Sequence, residues 1–243
     1  MPTGTTAREL FAAGDEALTE AAFRTGDFAE AQQLLETARA QASAGADREA
    51  EACAIDRLGM LIHYQNITTL MSGREVAGSD SDAEEELFRR ALGIRQELGD
   101  SAGTAQSLFG VGLVLQVLRR DWAAAMPYFW QALDLAGALT ERGDLYTYSE
   151  IHRHVGFYFL AEDVRPDEAV RHLQISLDLR ERLGDPRRIP SALVALGQAE
   201  LAAGNRQRAV GLLSLAVTRA RLAGLLPARI EDAEQALREA RVP

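Results

Sequence analysis

Apolar and polar positions along this chain recur three and four residues apart, the period of a helix, and hardly anywhere with the two-residue alternation of a strand. The pattern also repeats. ALGIRQELGD (residues 91–100), ALDLAGALTERGD (132–144) and SLDLRERLGD (176–185) each close an amphipathic segment on a Gly-Asp pair, with Gly99, Gly143 and Gly184 spaced by 44 and 41 residues. Glycine suits the left-handed turn after a helix, and aspartate can cap the next one. Upstream of these phrases runs a second kind of segment with a small residue at its centre: Leu58-Gly59, Val111-Gly112, Val155-Gly156 and Leu196-Gly197. The closing segments share a small, large, small spacing of four then three residues: Ala31, Leu35, Ala38; Ala125, Phe129, Ala132; Ala169, Leu173, Ser176; Ala209, Leu213, Ala216. Such a stripe lets a neighbouring helix approach closely. The reading is all-α: five two-helix repeats over about 10–45, 46–99, 100–143, 144–184 and 185–224, then a capping helix over 226–241 with Pro227 in its first turn.

Some places depart from the pattern. The first repeat has Leu18-Thr19 where the others have a small pair, and the second has Glu84 where its first small residue is expected. An insertion, HYQNITTLMSGREVAGSDSD (63–82), separates the helices of the second repeat; its tail reads as a mobile loop ending in a capping box from Ser81 to Glu84. Pro127 falls inside a second helix, where it removes a backbone hydrogen bond and should bend the helix, either as a structural accommodation or to expose a carbonyl.

Composition narrows the function classes. The 243 residues are 47% hydrophobic, enough for a continuous core, and the apolar residues are mostly Ala and Leu, which favours helix. A net charge of −10 opposes binding to nucleic acid or to an anionic lipid surface. All 26 basic residues are Arg. The single Cys53 excludes an internal disulfide framework and a thiolate zinc site and fits a cytoplasmic setting; the start MPTGTTAREL lacks the form of a signal peptide, and no run of about 18 apolar residues is seen that would cross a bilayer.

In these repeats the chain resembles the tetratricopeptide repeat family, most of all its members with repeats of about 40 residues, as in actinobacterial-type regulators. The last repeat, ALVALGQAELAAGNRQRAVGLLSLAV (192–217), carries the family's Leu-Gly pair, a turn glycine at Gly204 and the Ala-Leu-Ala spacing. The resemblance implies a right-handed α-α superhelix forming a single domain, with the first helix of each hairpin lining a concave groove. That places Asp56, Met60 and His63 from the second repeat, Gln106, Phe109, Leu113 and Gln116 from the third, and Tyr146, Glu150, Arg153, His154 and Phe157 from the fourth along the groove wall. The clamp of basic and Asn residues that some members use for C-terminal carboxylates is absent. The cluster Trp122, Tyr128 and Trp130 reads as filler between repeats, or as a ligand surface.

The stretch YSEIHRHVGFYFLAED (148–163) is the densest in chemistry. On a helix, His152 joins Tyr148, Ile151, Val155 and Phe159 on a packing face, while Tyr146, Glu150, Arg153, His154 and Phe157 share the opposite one. His152 and His154 point apart, so they cannot chelate one metal ion, and no metal or cofactor is expected. Glu150 and His154 stand at i and i+4, as an ordinary helix pair or as a carboxylate orienting an acid–base imidazole; Arg153 could hold an anion. No catalytic fingerprint is present. The expectation is a non-enzymatic module that receives a protein or peptide segment in its groove, with self-association through repeat faces as a further possibility. The alternative is a small-molecule or catalytic pocket using His154, Glu150 and Arg153.

Overall fold

The computed structural model describes residues 5–242, and among them every regular element is helical. The chain divides into two compact units, Met1–Ala138 and Leu139–Pro243.

The first unit contains α1 (Ala7–Glu20), which runs on through a π-turn at Ala21–Thr25, α2 (Ala29–Ala44), α3 (Arg48–Met71), α4 (Gly78–Leu98), α5 (Ser101–Leu113), continued by a π-turn at Val114–Leu118, and α6 (Trp122–Asp134). A short α7 (Ala136–Arg142) carries the chain across the boundary. The second unit contains α8 (Leu145–Ala161), α9 (Pro166–Leu183), α10 (Ile189–Ala202), α11 (Arg206–Leu222) and α12 (Pro227–Arg241). Within each unit consecutive helices pack on one another, from α1 on α2 through α5 on α6, and from α8 on α9 through α11 on α12. Short connections make this sequential pairing the natural outcome.

The turns follow the Gly-Asp phrase. Gly99, Gly143 and Gly184 adopt φ of 66°, 79° and 76°, where a Cβ would strain the backbone. Asp100 and Asp144 then cap α5 and α8, accepting from the amides of Gly103 and Thr147 at 3.0 Å. Asp185 behaves differently. It accepts from the amide and side chain of Arg187, and α10 starts only at Ile189, with Pro190 in its first turn. Pro186 and Pro190 delay the helix, so the aspartate ties down a turn instead of an N-terminus.

Packing between paired helices rests on a large side chain seated over a glycine. Leu173 sits on Gly156 and Leu213 on Gly197, where an added Cβ would come within 2.6 Å of the leucine Cγ. Phe88 is pressed by Gly59 from its own repeat and Gly110 from the next. These large residues are at most 1% exposed, and burying each stabilises the fold by about 1.5–3 kcal/mol. In the first repeat the partner of Leu35 is Gly14, not the Leu18-Thr19 site; Thr19 instead returns its hydroxyl to the Asp15 carbonyl at 3.0 Å.

Three sequence expectations need correcting. The 63–82 insertion is mostly helix: α3 continues to Met71, α4 begins at Gly78, and only residues 72–77 lie between them. No capping box forms at Ser81, whose hydroxyl donates to the Gly78 carbonyl at 2.8 Å, while Glu84 is fully buried. A window long and apolar enough to cross a membrane does exist, Ser101–Leu118, but 72% of it is buried among neighbouring helices. Helix α6 continues through Pro127, and Trp130 is 40% exposed while Phe129 fills the gap between helices.

Candidate functional site

Two arginines that the repeat pattern places on the packing stripe organise the polar interior, one in each unit. The small, large, small stripe extends four residues further, to Ala42, Arg95, Ala136, Arg180 and Ala220 in the five repeats. Arg95 and Arg180 are each 1% exposed. Burying a guanidinium there is costly unless a counter-charge and hydrogen-bond acceptors meet most of its donors.

In the first unit, Arg95 on α4 pairs with Asp56 on α3 at 2.9 Å, donates to Gln106 on α5, and approaches the Cys53 sulfur at 3.6 Å. Ser107 donates to both Asp56 oxygens at 3.0 Å. Burial pushes the Asp56 carboxyl above the usual carboxylate range, although Arg95 and Ser107 pull it down. Burial likewise raises the Cys53 thiol. In the second unit, Arg180 on α9 pairs with Glu150 on α8, approaches Ser149 at 3.3 Å, and donates to the Arg188 carbonyl and the Ser191 hydroxyl at 2.7 Å. The register is the same in both. Cys53, Gln106, Glu150 and Ser191 each stand six residues before the central glycine of a first helix, so each arginine spans that position in its own hairpin and in the next.

Eight of the twelve expected groove residues are buried: Asp56, Met60, His63, Phe109, Leu113, Gln116, Glu150 and His154. Gln106, Tyr146, Arg153 and Phe157 are half-buried. Asp56 and Gln106 belong to the Arg95 cluster. His63 donates from Nδ1 to Glu84 at 2.7 Å, and Asn66 donates to the other Glu84 oxygen at 2.9 Å, so the carboxylate that interrupts the stripe is met by the extended part of α3. Phe109 packs against Phe129 with ring centroids 6.0 Å apart.

On α8 the charges sort differently from the i, i+4 reading. Glu150 turns to Arg180, with Arg153 3.6 Å from its other oxygen. His154 sets its ring edge-on to Phe157 at 5.7 Å. The Arg153 guanidinium lies over the Phe157 ring at 4.8 Å, its side chain 24% exposed. Tyr146 is stacked by Arg188 at 3.5 Å and flanked by Arg180 at 5.7 Å. His152 occupies the packing face and is hydrogen-bonded to His172 of α9 at 2.9 Å. Among the described residues no group of three or more His, Cys, Asp or Glu side chains is placed to hold a metal ion.

The sequence matches no family model and no curated protein. Among solved structures, the crystal structure of BtubC (BKLC) from P. vanneervenii aligns with 90% of this chain and 92% of its own, at a TM-score of 0.51 and 17% identity. What the two share is the fold. The chain is therefore an all-helical protein of paired, repeat-like helices, and the likeness extends over nearly its whole length.

Proposed function

We propose that this protein is a non-enzymatic interaction module of tetratricopeptide-like hairpins stacked in a right-handed superhelix, which receives a protein or peptide segment at Arg153 and Phe157 of α8. The observation that carries this reading is how the ionisable groups around α8 are engaged. Glu150, which acid–base catalysis would need beside His154, is bound to buried Arg180 instead. Arg153 and Phe157 form a half-buried guanidinium–aromatic pair with polar and apolar surface side by side. Arginine and aromatic side chains dominate the energetics of protein recognition, and a stacked guanidinium is held in place before a partner arrives.

The test is capture from a lysate of the source organism on the immobilised full chain, with each bound protein quantified by mass spectrometry. Arg153→Ala/Phe157→Ala should reduce recovery of the specific partner at least tenfold while the far-ultraviolet circular dichroism is unchanged. An identical captured set from both forms would remove these residues from the contact. Turnover of a small molecule that disappears in His154→Ala would overturn the non-enzymatic reading itself.

A further inference from the structure

His152 on α8 and His172 on α9 meet inside one hairpin of the second unit, Nδ1 to Nδ1 at 2.9 Å, with exposures of 6% and 4%. Nη2 of Arg171 stands 3.2 Å from Nε2 of His172. A guanidinium only donates, so that Nε2 accepts. His172 then carries its proton on Nδ1 and donates to His152 Nδ1, and His152 carries its own on Nε2, a buried atom with no acceptor. The pair thus has two lone pairs, and both already accept a hydrogen bond. Any added proton must displace one of them. On His152 it would set two N–H groups against each other; on His172 it would set an imidazolium against the Arg171 guanidinium.

The surroundings offer little to stabilise that extra charge. Tyr148 of α8 lies 5.0 Å from the His152 ring, and Phe159, itself covered by Arg165, lies 5.5 Å from His172. Glu168 of α9 is the carboxylate acting on His172, and Arg171 holds it at 2.7 Å. Elsewhere on the two helices Glu150, Arg153 and Arg180 are bound to one another. Helix α10, packed on both, brings one ionisable side chain, Glu200, which binds Asn205 and Arg208.

We propose that the His152–His172 pair is an acid-sensitive latch on the α8–α9 hairpin: proton uptake parts the rings and loosens the packing of Leu173 on Gly156, one turn away. Burial, with the neighbouring ring and Arg171 adding to it, holds His152 at about 4; burial and Arg171 hold His172 at about 4. The unfolded chain, with imidazoles near 6.5, binds more protons than the folded one across that interval. The stabilisation is therefore complete above pH 6.5 and is lost as pH falls toward 4.

Hydrogen exchange on the full chain, expressed as protection factors corrected for intrinsic rates, tests this at pH ~7 and ~4.5. Protection of α8 and α9 should fall at least tenfold at the lower pH while α5 and α6 keep theirs, and His152→Phe/His172→Leu should hold α8 and α9 within about threefold. His172→Gln removes one titrating ring and should lose less protection than the native chain; it carries the comparison if the double variant does not fold. Equal acid losses in native and variant chains would overturn the latch. So would imidazoles that titrate with no change in protection.

Discussion

Replacing Arg180 by Ala should destabilise the second unit by about 3–5 kcal/mol, because it takes from the buried Glu150 carboxylate its nearer counter-charge, leaving Arg153 at 3.6 Å, and removes a donor from the Arg188 carbonyl and the Ser191 hydroxyl. Urea titration of the full chain, followed by far-ultraviolet circular dichroism, would measure the loss. A paired apolar replacement, Arg180→Met/Glu150→Leu, should recover most of it, since two well-packed apolar side chains avoid the desolvation that the ion pair has to overcome. A loss below about 1 kcal/mol in Arg180→Ala would show that the cluster is not a stabilising unit. Arg95→Ala in the first unit has a further signature. Burial already raises the Asp56 carboxyl, and without Arg95 it rises further. A folded-state acid with a raised pKa favours folding at low pH, so this variant's deficit should shrink as pH is lowered and grow as it is raised.

The second large effect is steric. Phe88 is 1% exposed and wedged between two glycines of successive first helices, so Phe88→Ala should cost about 3–5 kcal/mol through lost contact and the cavity left behind. The reverse change is also harmful. A Cβ at Gly59 would stand 2.9 Å from the Phe88 ring, and one at Gly110 would press the ring harder, so Gly110→Val should destabilise by about 3 kcal/mol. The sharper measurement is the double variant Gly110→Ala/Phe88→Leu. A smaller side chain makes room for the new methyl, so the pair should cost less than the sum of its parts. Strict additivity would mean that the ring and the glycine do not share a contact.

The periodic features were legible because each depends on residues close in sequence. The Gly-Asp turns needed only a glycine that tolerates positive φ and an aspartate three residues before a free amide, and the stripe of Ala125, Phe129 and Ala132 needed only helical spacing. Asp185 shows the limit: the same dipeptide followed by proline ties a turn and leaves the helix uncapped. Arg95 and Arg180 stood in the repeating phrases in plain sight. Their position four residues past the last small residue of the stripe places them on the same packing face, and that signal was readable.

What the local pattern could not supply is which residues of other helices come to meet a given side chain. His63 was placed on the groove wall and Asn66 in an insertion separating the helices, so nothing indicated that both would hydrogen-bond to Glu84, although that pairing explains why a carboxylate can replace a small residue there. Glu150 had a partner within reach one turn away in His154, yet it pairs with the buried guanidinium on the next helix, a fixed charge with several donors. The first-helix face was expected to be open. It is largely covered because the glycine contacts bring neighbouring helices close, which leaves Tyr146, Arg153 and Phe157 as its partly accessible residues in the second unit.

The shared geometry of the two buried arginines has a bearing on how such an array can change over generations. A hairpin ending in arginine makes a demand on whatever follows it: the successor must open with a polar side chain at one particular place, as Gln106 and Ser191 do. Hairpins of this protein are therefore not interchangeable beads. Placing an apolar opening after a hairpin that ends in Arg95 or Arg180 would take a partner from the buried charge, whereas the hairpins that end in Ala42, Ala136 or Ala220 make no such demand, so part of the order of the modules is written into the polar chemistry of two joints.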